Sequence, residues 1–107
     1  MTVEWQGRAT VLAVAGEIDM LTAPRVEEAL MLALESRPET LVVDLTDVRF
    51  LGSAGLAALI GAQRKAGKQI GFRVVAAGTA TSRPLHVTGL DQQFVVYPSR
   101  EQALNGD

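Results

Sequence analysis

An α/β fold, with a mixed β-sheet and helices packed mainly on one side, is predicted by three features of the 107-residue sequence. Two short stretches of alternating apolar and polar residues open the chain on either side of a glycine, which is a hairpin signal. Beyond them, short β-branched runs alternate with amphipathic stretches, the order that builds parallel strands joined through helices. No repeat, linker or low-complexity tract interrupts this alternation, so a single domain over residues 1–107 is expected.

Val3-Glu4-Trp5 and Thr10 to Val14 read as the two strands of the hairpin, joined at Gln6-Gly7-Arg8. Gly16-Glu17-Ile18-Asp19 then reads as a polar loop carrying two carboxylates. Thr22 followed by Pro24 reads as a helix cap and a first-turn proline, after which Val26, Leu30, Ala33 and Leu34 form one apolar stripe. That helix ends near Ser36, where Arg37-Pro38 stops it. Leu41, Val42 and Val43 form a short buried strand that Asp44 closes. Ser53 opens the next helix, in which Leu56, Leu59, Ile60 and Gln63 share one face, and Gly67 ends it after Lys65. Phe72 to Ala76 is a further strand, Ser82-Arg83-Pro84 starts a short helical piece, and Phe94 to Tyr97 is the last strand. Ser99 caps a terminal helix running to Leu104. Right-handed crossovers are expected to link the parallel strands, which places the Glu17/Asp19 loop and the Ser53 helix at the end of the sheet where such folds work.

Composition excludes several function classes. Ten lysines and arginines against twelve acidic residues give a formal charge of −2, without the basic face of a nucleic-acid binder. The absence of cysteine removes disulfides, a thiol nucleophile and thiolate metal sites. The opening residues, Met1 to Gly7, contain Glu4 and lack the charged-then-apolar pattern of a signal peptide, so a cytoplasmic location is expected. Apolar runs stay far short of the ~20 residues that span a bilayer, so no membrane insertion is expected.

Ser53 is the sharpest candidate. Its plain reading is an N-cap hydroxyl, worth ~1 kcal/mol. Its functional reading is a phosphate acceptor, because the entrance of a helix offers free N–H groups and the positive end of the dipole to an anion. Ala54, Ala58, Gly61 and Ala62 form a small-residue face opposite Leu56, Leu59 and Ile60, suited either to a partner's close approach or to packing against a helix of the same chain. Glu17 and Asp19 suit either a partner contact or a solvated turn in which Asp19 bonds a nearby N–H. Asp44 and Asp47, separated by Thr46, more simply make a turn than a metal site. His86, the only histidine, reads as packing or surface, and Trp5 as cover for the core. Gly52-Ser53-Ala54-Gly55 lacks the lysine of a nucleotide-binding loop. No nucleophile, base and oxyanion set can be assembled, so no catalytic residue, metal or cofactor is expected.

Several of these pieces occur together in one family. Gly16-Glu17-Ile18-Asp19 with Thr22-Ala23-Pro24, the Leu41 to Asp44 strand with Val48 and Phe50, the Ser53-Ala54-Gly55-Leu56 entrance, and Gly89-Leu90 before Phe94 give a chain that resembles the stand-alone STAS domains, the bacterial anti-anti-sigma factors (anti-sigma factor antagonists). The resemblance implies a STAS-like (SpoIIAA-like) mixed sheet with an N-terminal hairpin and about four helices. It also implies transcription regulation by protein contact: the domain binds an anti-sigma factor that is a serine kinase and so frees a sigma factor, phosphorylation at the helix entrance ends the binding, and a phosphatase restores it. With the readings above, Glu17, Asp19, Thr22, Gly52, Ser53, Ala54, Ala58 and Gly61 are the expected partner contacts. Many members have Asp-Ser-Ser-Gly or Asp-Ser-Thr-Gly at the entrance, with the acceptor directly before the glycine. Here that position is Ala54 and the aspartate is Gly52, which leaves Ser53 as the only hydroxyl of the motif. Either Ser53 takes the phosphate or the partner is bound without a phosphate switch. A second function carried by similar domains, an accessory subunit of a lipid-transport ABC ATPase, needs no serine switch at all.

Overall fold

Gly7, at φ 63°, reverses the chain between β1 (Thr2–Gln6) and β2 (Ala9–Ile18), which pair antiparallel as the expected hairpin. The computed structural model describes residues 1–106. After the hairpin come α1 (Ala23–Glu35), β3 (Thr40–Leu51), α2 (Ser53–Ala66), β4 (Gly71–Val75), α3 (Thr79–Val87), a 3₁₀ turn (Leu90–Gln92), β5 (Val95–Tyr97) and α4 (Arg100–Asn105). The sheet order is β1-β2-β3-β4-β5, with every pair after the first parallel.

The sheet is buried on both faces, as the continuous Leu41-Val42-Val43 run demands. On one face Leu12, Val43 and Val74 pack against Leu30 and Leu34 of α1, Leu59 of α2 and Leu85 of α3. Phe72 and Phe94 meet edge to face there, with ring centroids 5.6 Å apart. On the other face Val11, Val42, Val75 and Tyr97 are covered by α4 alone, through Ala103. Three of the four helices therefore share a side, as expected.

Four local expectations are corrected. Asp44 does not close its strand: β3 continues to Leu51 and stays paired with β2 through two register shifts. A carboxylate sits inside a strand here because Thr46 and Arg100 satisfy it. The Gly16-Glu17-Ile18 segment is likewise strand rather than loop. α3 begins at Thr79 rather than Ser82, since the Gly78 carbonyl accepts the N–H groups of Thr81 and Ser82 and so forms the first turn earlier. Trp5 does not cover the core; it stands 67% exposed on the outermost strand.

The face that α2 buries is also not the one that residue size suggested. Gly55, Ala58, Leu59, Ala62 and Ala66 are its buried stripe, whereas Leu56 and Ile60 are half-buried. Small side chains let α2 lie close to α1 and to the sheet. At Gly55 the approach is closest: an added Cβ would stand 2.6 Å from Ile18 Cγ2 and 2.7 Å from Leu51 Cδ1. At Gly61 it would meet nothing within 4 Å. Gly55→Ala is therefore expected to destabilise by about 1–2 kcal/mol, overpacking outweighing the gain in helix propensity. Gly61→Ala is expected to stabilise by up to about 1 kcal/mol. Urea midpoints of the two variants should move in opposite directions; movement in the same direction would refute this account of the α2 face.

Candidate functional site

The carboxyl ends of β2 and β3 are tied together by the Gly52 N–H, which donates to the Ile18 carbonyl at 2.9 Å. This bond brings the turn after β2 beside the entrance of α2. In that turn the Asp19 carboxylate accepts the N–H groups of Leu21 at 2.9 Å and Thr22 at 3.0 Å. The Thr22 hydroxyl accepts the Asp19 N–H and donates to the Glu17 carbonyl. Thr22 thus stands at the N-cap position of α1 but stitches the turn rather than capping the helix, and Pro24 fills the first turn as expected. The backbone bond from Thr22 lowers the Asp19 carboxyl most; burial opposes it, and the bonds from Leu21 and the Thr22 hydroxyl help hold the carboxyl below its ordinary range. It is an ionised turn-former, not a proton carrier.

A turn closed so tightly by its polar groups pushes its apolar ones outward. Met20 is 81% and Leu21 85% exposed. Phe50, near the end of β3, is half exposed, and its ring lies against Gly52, where an added Cβ would come within 3.0 Å of it. Glu17 is registered opposite Phe50 and pairs with Arg49 at 2.8 Å on the surface. The result is an apolar rim of Met20, Leu21 and Phe50 flanked by Glu17 and Asp19. Sequence reading missed all three apolar residues, although two consecutive large side chains in a turn were the available signal.

Ser53 is the first residue of α2 and is exposed; the N-cap is Gly52, in extended conformation. The capping role first considered for Ser53 is therefore corrected: the helix has no side-chain cap. Its first intrahelical bond runs from the Leu56 N–H to the Gly52 carbonyl, so the N–H groups of Ser53, Ala54 and Gly55 have no acceptor within the helix. An anion on the Ser53 oxygen would sit at the positive end of the dipole.

Of the other expected contact residues, Ala54 is half-buried against the core and Gly61 is half-buried beside open space. Ala58 is 3% exposed and faces the core, so it cannot touch a partner and leaves the contact set. The small-residue face serves packing within the chain. Elsewhere His86 lies on the surface, paired with Asp91 at 2.9 Å. Asp44 is turned toward Thr46 and Arg100, away from any joint site with Asp47. Among the described residues no group of histidines and carboxylates is arranged to hold a metal, and no helix is long and apolar enough to cross a membrane.

Comparison with known proteins supplies the context for this geometry. The family model described as "Mlab, STAS domain" matches residues 1–97. The chain is 42% identical over 106 residues to the anti-sigma-F factor antagonist RsfB of Mycobacterium tuberculosis, covering 99% of this chain and 87% of that one. It superposes with a TM-score of 0.95 on the crystal structure of an anti-sigma factor antagonist from Mycobacterium paratuberculosis, 48% identical, covering 98% and 90% of the two chains. Unphosphorylated SpoIIAA, an anti-sigma factor antagonist, shares the fold at a TM-score of 0.78 and 17% identity, covering 97% and 92%. With the hairpin-led mixed sheet and the helix entrance already in place, these matches mean that the chain belongs to the STAS-domain family of anti-sigma factor antagonists.

Proposed function

We propose that the protein binds an anti-sigma factor of the serine-kinase type through the apolar rim and the α2 entrance, and that phosphorylation of Ser53 dissolves the complex until a phosphatase reverses it. The observation that carries this reading is the position of Ser53: an exposed hydroxyl at a helix entrance, next to the strand end that carries Phe50 and the turn that carries Met20 and Leu21. The family acts by binding rather than catalysis, so a switch must work by changing the surface that is bound. Relatives at 42% and 48% identity over nearly the whole chain bear antagonist names, which disfavours the transporter-subunit reading.

The reading is tested by incubating the protein with candidate anti-sigma kinases and ATP and locating any phosphate by tandem mass spectrometry. Stoichiometric phosphate on Ser53 together with loss of the complex supports it. A stable complex in which Ser53 stays unmodified would leave a constitutive antagonist. The apolar rim has its own test. Leu21→Asp is expected to weaken the complex roughly tenfold to thirtyfold, as loss of an exposed apolar anchor does. The fold should be unchanged, since Leu21 is 85% exposed. An unaltered dissociation constant in titration calorimetry would remove Leu21 from the interface.

A further inference from the structure

The other end of the sheet carries a second apolar surface. Among the described residues β1 pairs only with β2, so its outer backbone groups have no partner strand there. Val3 and Trp5, 52% and 67% exposed, line a cleft of about 240 Å³ together with Leu32 of α1, itself 59% exposed. Thr10 also lines this cleft; it is 1% exposed, and its hydroxyl oxygen has no hydrogen-bond partner among the described residues. Trp5 lies directly opposite Thr10 in the hairpin.

We propose that a second copy of this chain pairs its β1 antiparallel to this β1 across a two-fold axis, joining the two sheets and burying Val3, Trp5 and Leu32 of both copies. Exposed edge strands are normally blunted by proline, lysine or a bulge. The sequence of β1 is Thr-Val-Glu-Trp-Gln and its register with β2 is unbroken, so it has no proline, lysine or bulge, and its one charge, Glu4, is paired with Arg100. The strand also complements itself. An axis through Glu4 sets Val3 opposite Trp5 of the second copy, and Trp5 opposite its Val3, on the apolar face. Aromatic and β-branched residues facing one another are a favourable cross-strand pair.

Charge permits the same register. Glu4 is the only charged residue of β1, it lies on the opposite face, and Arg100 pairs with it. The axis therefore brings together two carboxylates, each beside a guanidinium that it shares with Asp44. Area sets the strength. The exposed parts of Val3, Trp5 and Leu32 amount to roughly 300–400 Å² per copy, within the range of the largest apolar patch on a typical monomer. Two such patches and the paired strands bury on the order of 1,000 Å², the low end of specific interfaces, so the dimer is reversible. Thr10 and Ile18 mark the two ends of the relevant stretch of β2, roughly 26 Å apart at strand rise. The Ser53 surface beyond Ile18 accordingly stays open in the dimer.

Trp5 is the only tryptophan, so its emission reports on this surface directly. The full chain should be diluted from about 1 mM to about 1 μM, with mass read by sedimentation and emission by fluorescence. The expected result is a concentration-dependent rise from monomer to dimer mass with a parallel blue shift. Trp5→Lys should remain monomeric throughout, and Leu32→Glu should raise the half-dimerisation concentration at least about tenfold. Should Trp5→Lys fail to fold, Leu32→Glu decides, because it alters an exposed helix position. Monomer mass at every concentration would overturn the proposal. So would a dimer indifferent to both substitutions, or Trp5 shielding that occurs only when a different protein is added.

Discussion

Ser53→Glu is expected to weaken the complex with the anti-sigma factor at least about a hundredfold while leaving the fold intact. The free protein accommodates the charge: Ser53 is exposed at the first position of α2, where three N–H groups lack helical acceptors. A carboxylate there is worth about 0.3–1 kcal/mol in the helix's favour. The penalty falls on the complex. Burial of the apolar rim against a partner would strip water from the new charge, beside Asp19, whose carboxyl is already ionised by its turn. An unpaired charge removed from water at an interface costs about 3–5 kcal/mol, which corresponds to at least two decades in affinity. A phosphate, with −1.5 to −2 charges and more bulk, should exceed this and approach the ~5.5 kcal/mol that takes a population from 99:1 to 1:99. Titration calorimetry on Ser53→Glu and Ser53→Ala checks the claim. The alanine variant should bind like wild type yet accept no phosphate. If the glutamate variant bound as tightly as wild type, the switch would have lost its physical basis.

What could be read from the sequence, and what could not, divides along the range of the forces involved. The hairpin at Gly7, the start of α1 at Pro24, the stop of α2 at Gly67 and the cap of α4 at Ser99 rest on backbone geometry a few residues wide, and each was legible; the Ser99 hydroxyl does accept the Gln102 N–H. β3 was cut short because Asp44 resembles a strand end until its partner is known, and that partner, Arg100, lies 56 residues away. Trp5 reads as core cover in the sequence because nothing local says that β1 is the outermost strand. Ala58 reads as a partner contact only if large residues mark the core face of a helix. α2 inverts this because it packs closely against both α1 and the sheet, where Gly55 and the alanines fit and larger side chains do not. The position of the candidate site was legible, since Ser53 does lie exposed at the entrance of α2 beside the carboxyl ends of β2 and β3. Its apolar rim was not, since the exposure of Met20 and Leu21 follows from how the Asp19 and Thr22 side chains close the turn behind them.

Arg100→Ala is expected to cost about 2–3 kcal/mol at neutral pH, the largest stability effect foreseen for one side chain outside the apolar core. Asp44 lies inside β3 with its side chain 8% exposed, and it accepts the Arg100 Nε–H at 2.8 Å and the Thr46 N–H at 2.9 Å. Burial pushes the carboxyl upward, but the bonds from Thr46 and Arg100 together outweigh it and hold it below its ordinary range. Arg100, for its part, is raised first by its hydrogen bond to Asp44. Removing the guanidinium leaves a buried carboxylate with Thr46 alone. Breaking a fully buried pair costs about 3–5 kcal/mol, and the one-third exposure of Arg100 admits water that reduces this. The sign of the pH dependence follows. A carboxyl whose folded pKa is depressed stabilises the fold above its unfolded pKa, about 4, and that contribution is lost as pH falls through the lower folded value. The gap between wild type and Arg100→Ala should thus be full at about pH 7 and shrink below about pH 4 as Asp44 protonates. Asp44→Asn combined with Arg100→Ala should recover part of the loss, because the amide no longer carries a charge into the sheet. Urea midpoints at the two pH values decide the matter. Equal midpoints at neutral pH would mean that α4 is held by Ala103 and Tyr97 and that Arg100 is incidental to the fold, whereas a gap undiminished in acid would mean that Arg100 acts otherwise than through the charge of Asp44.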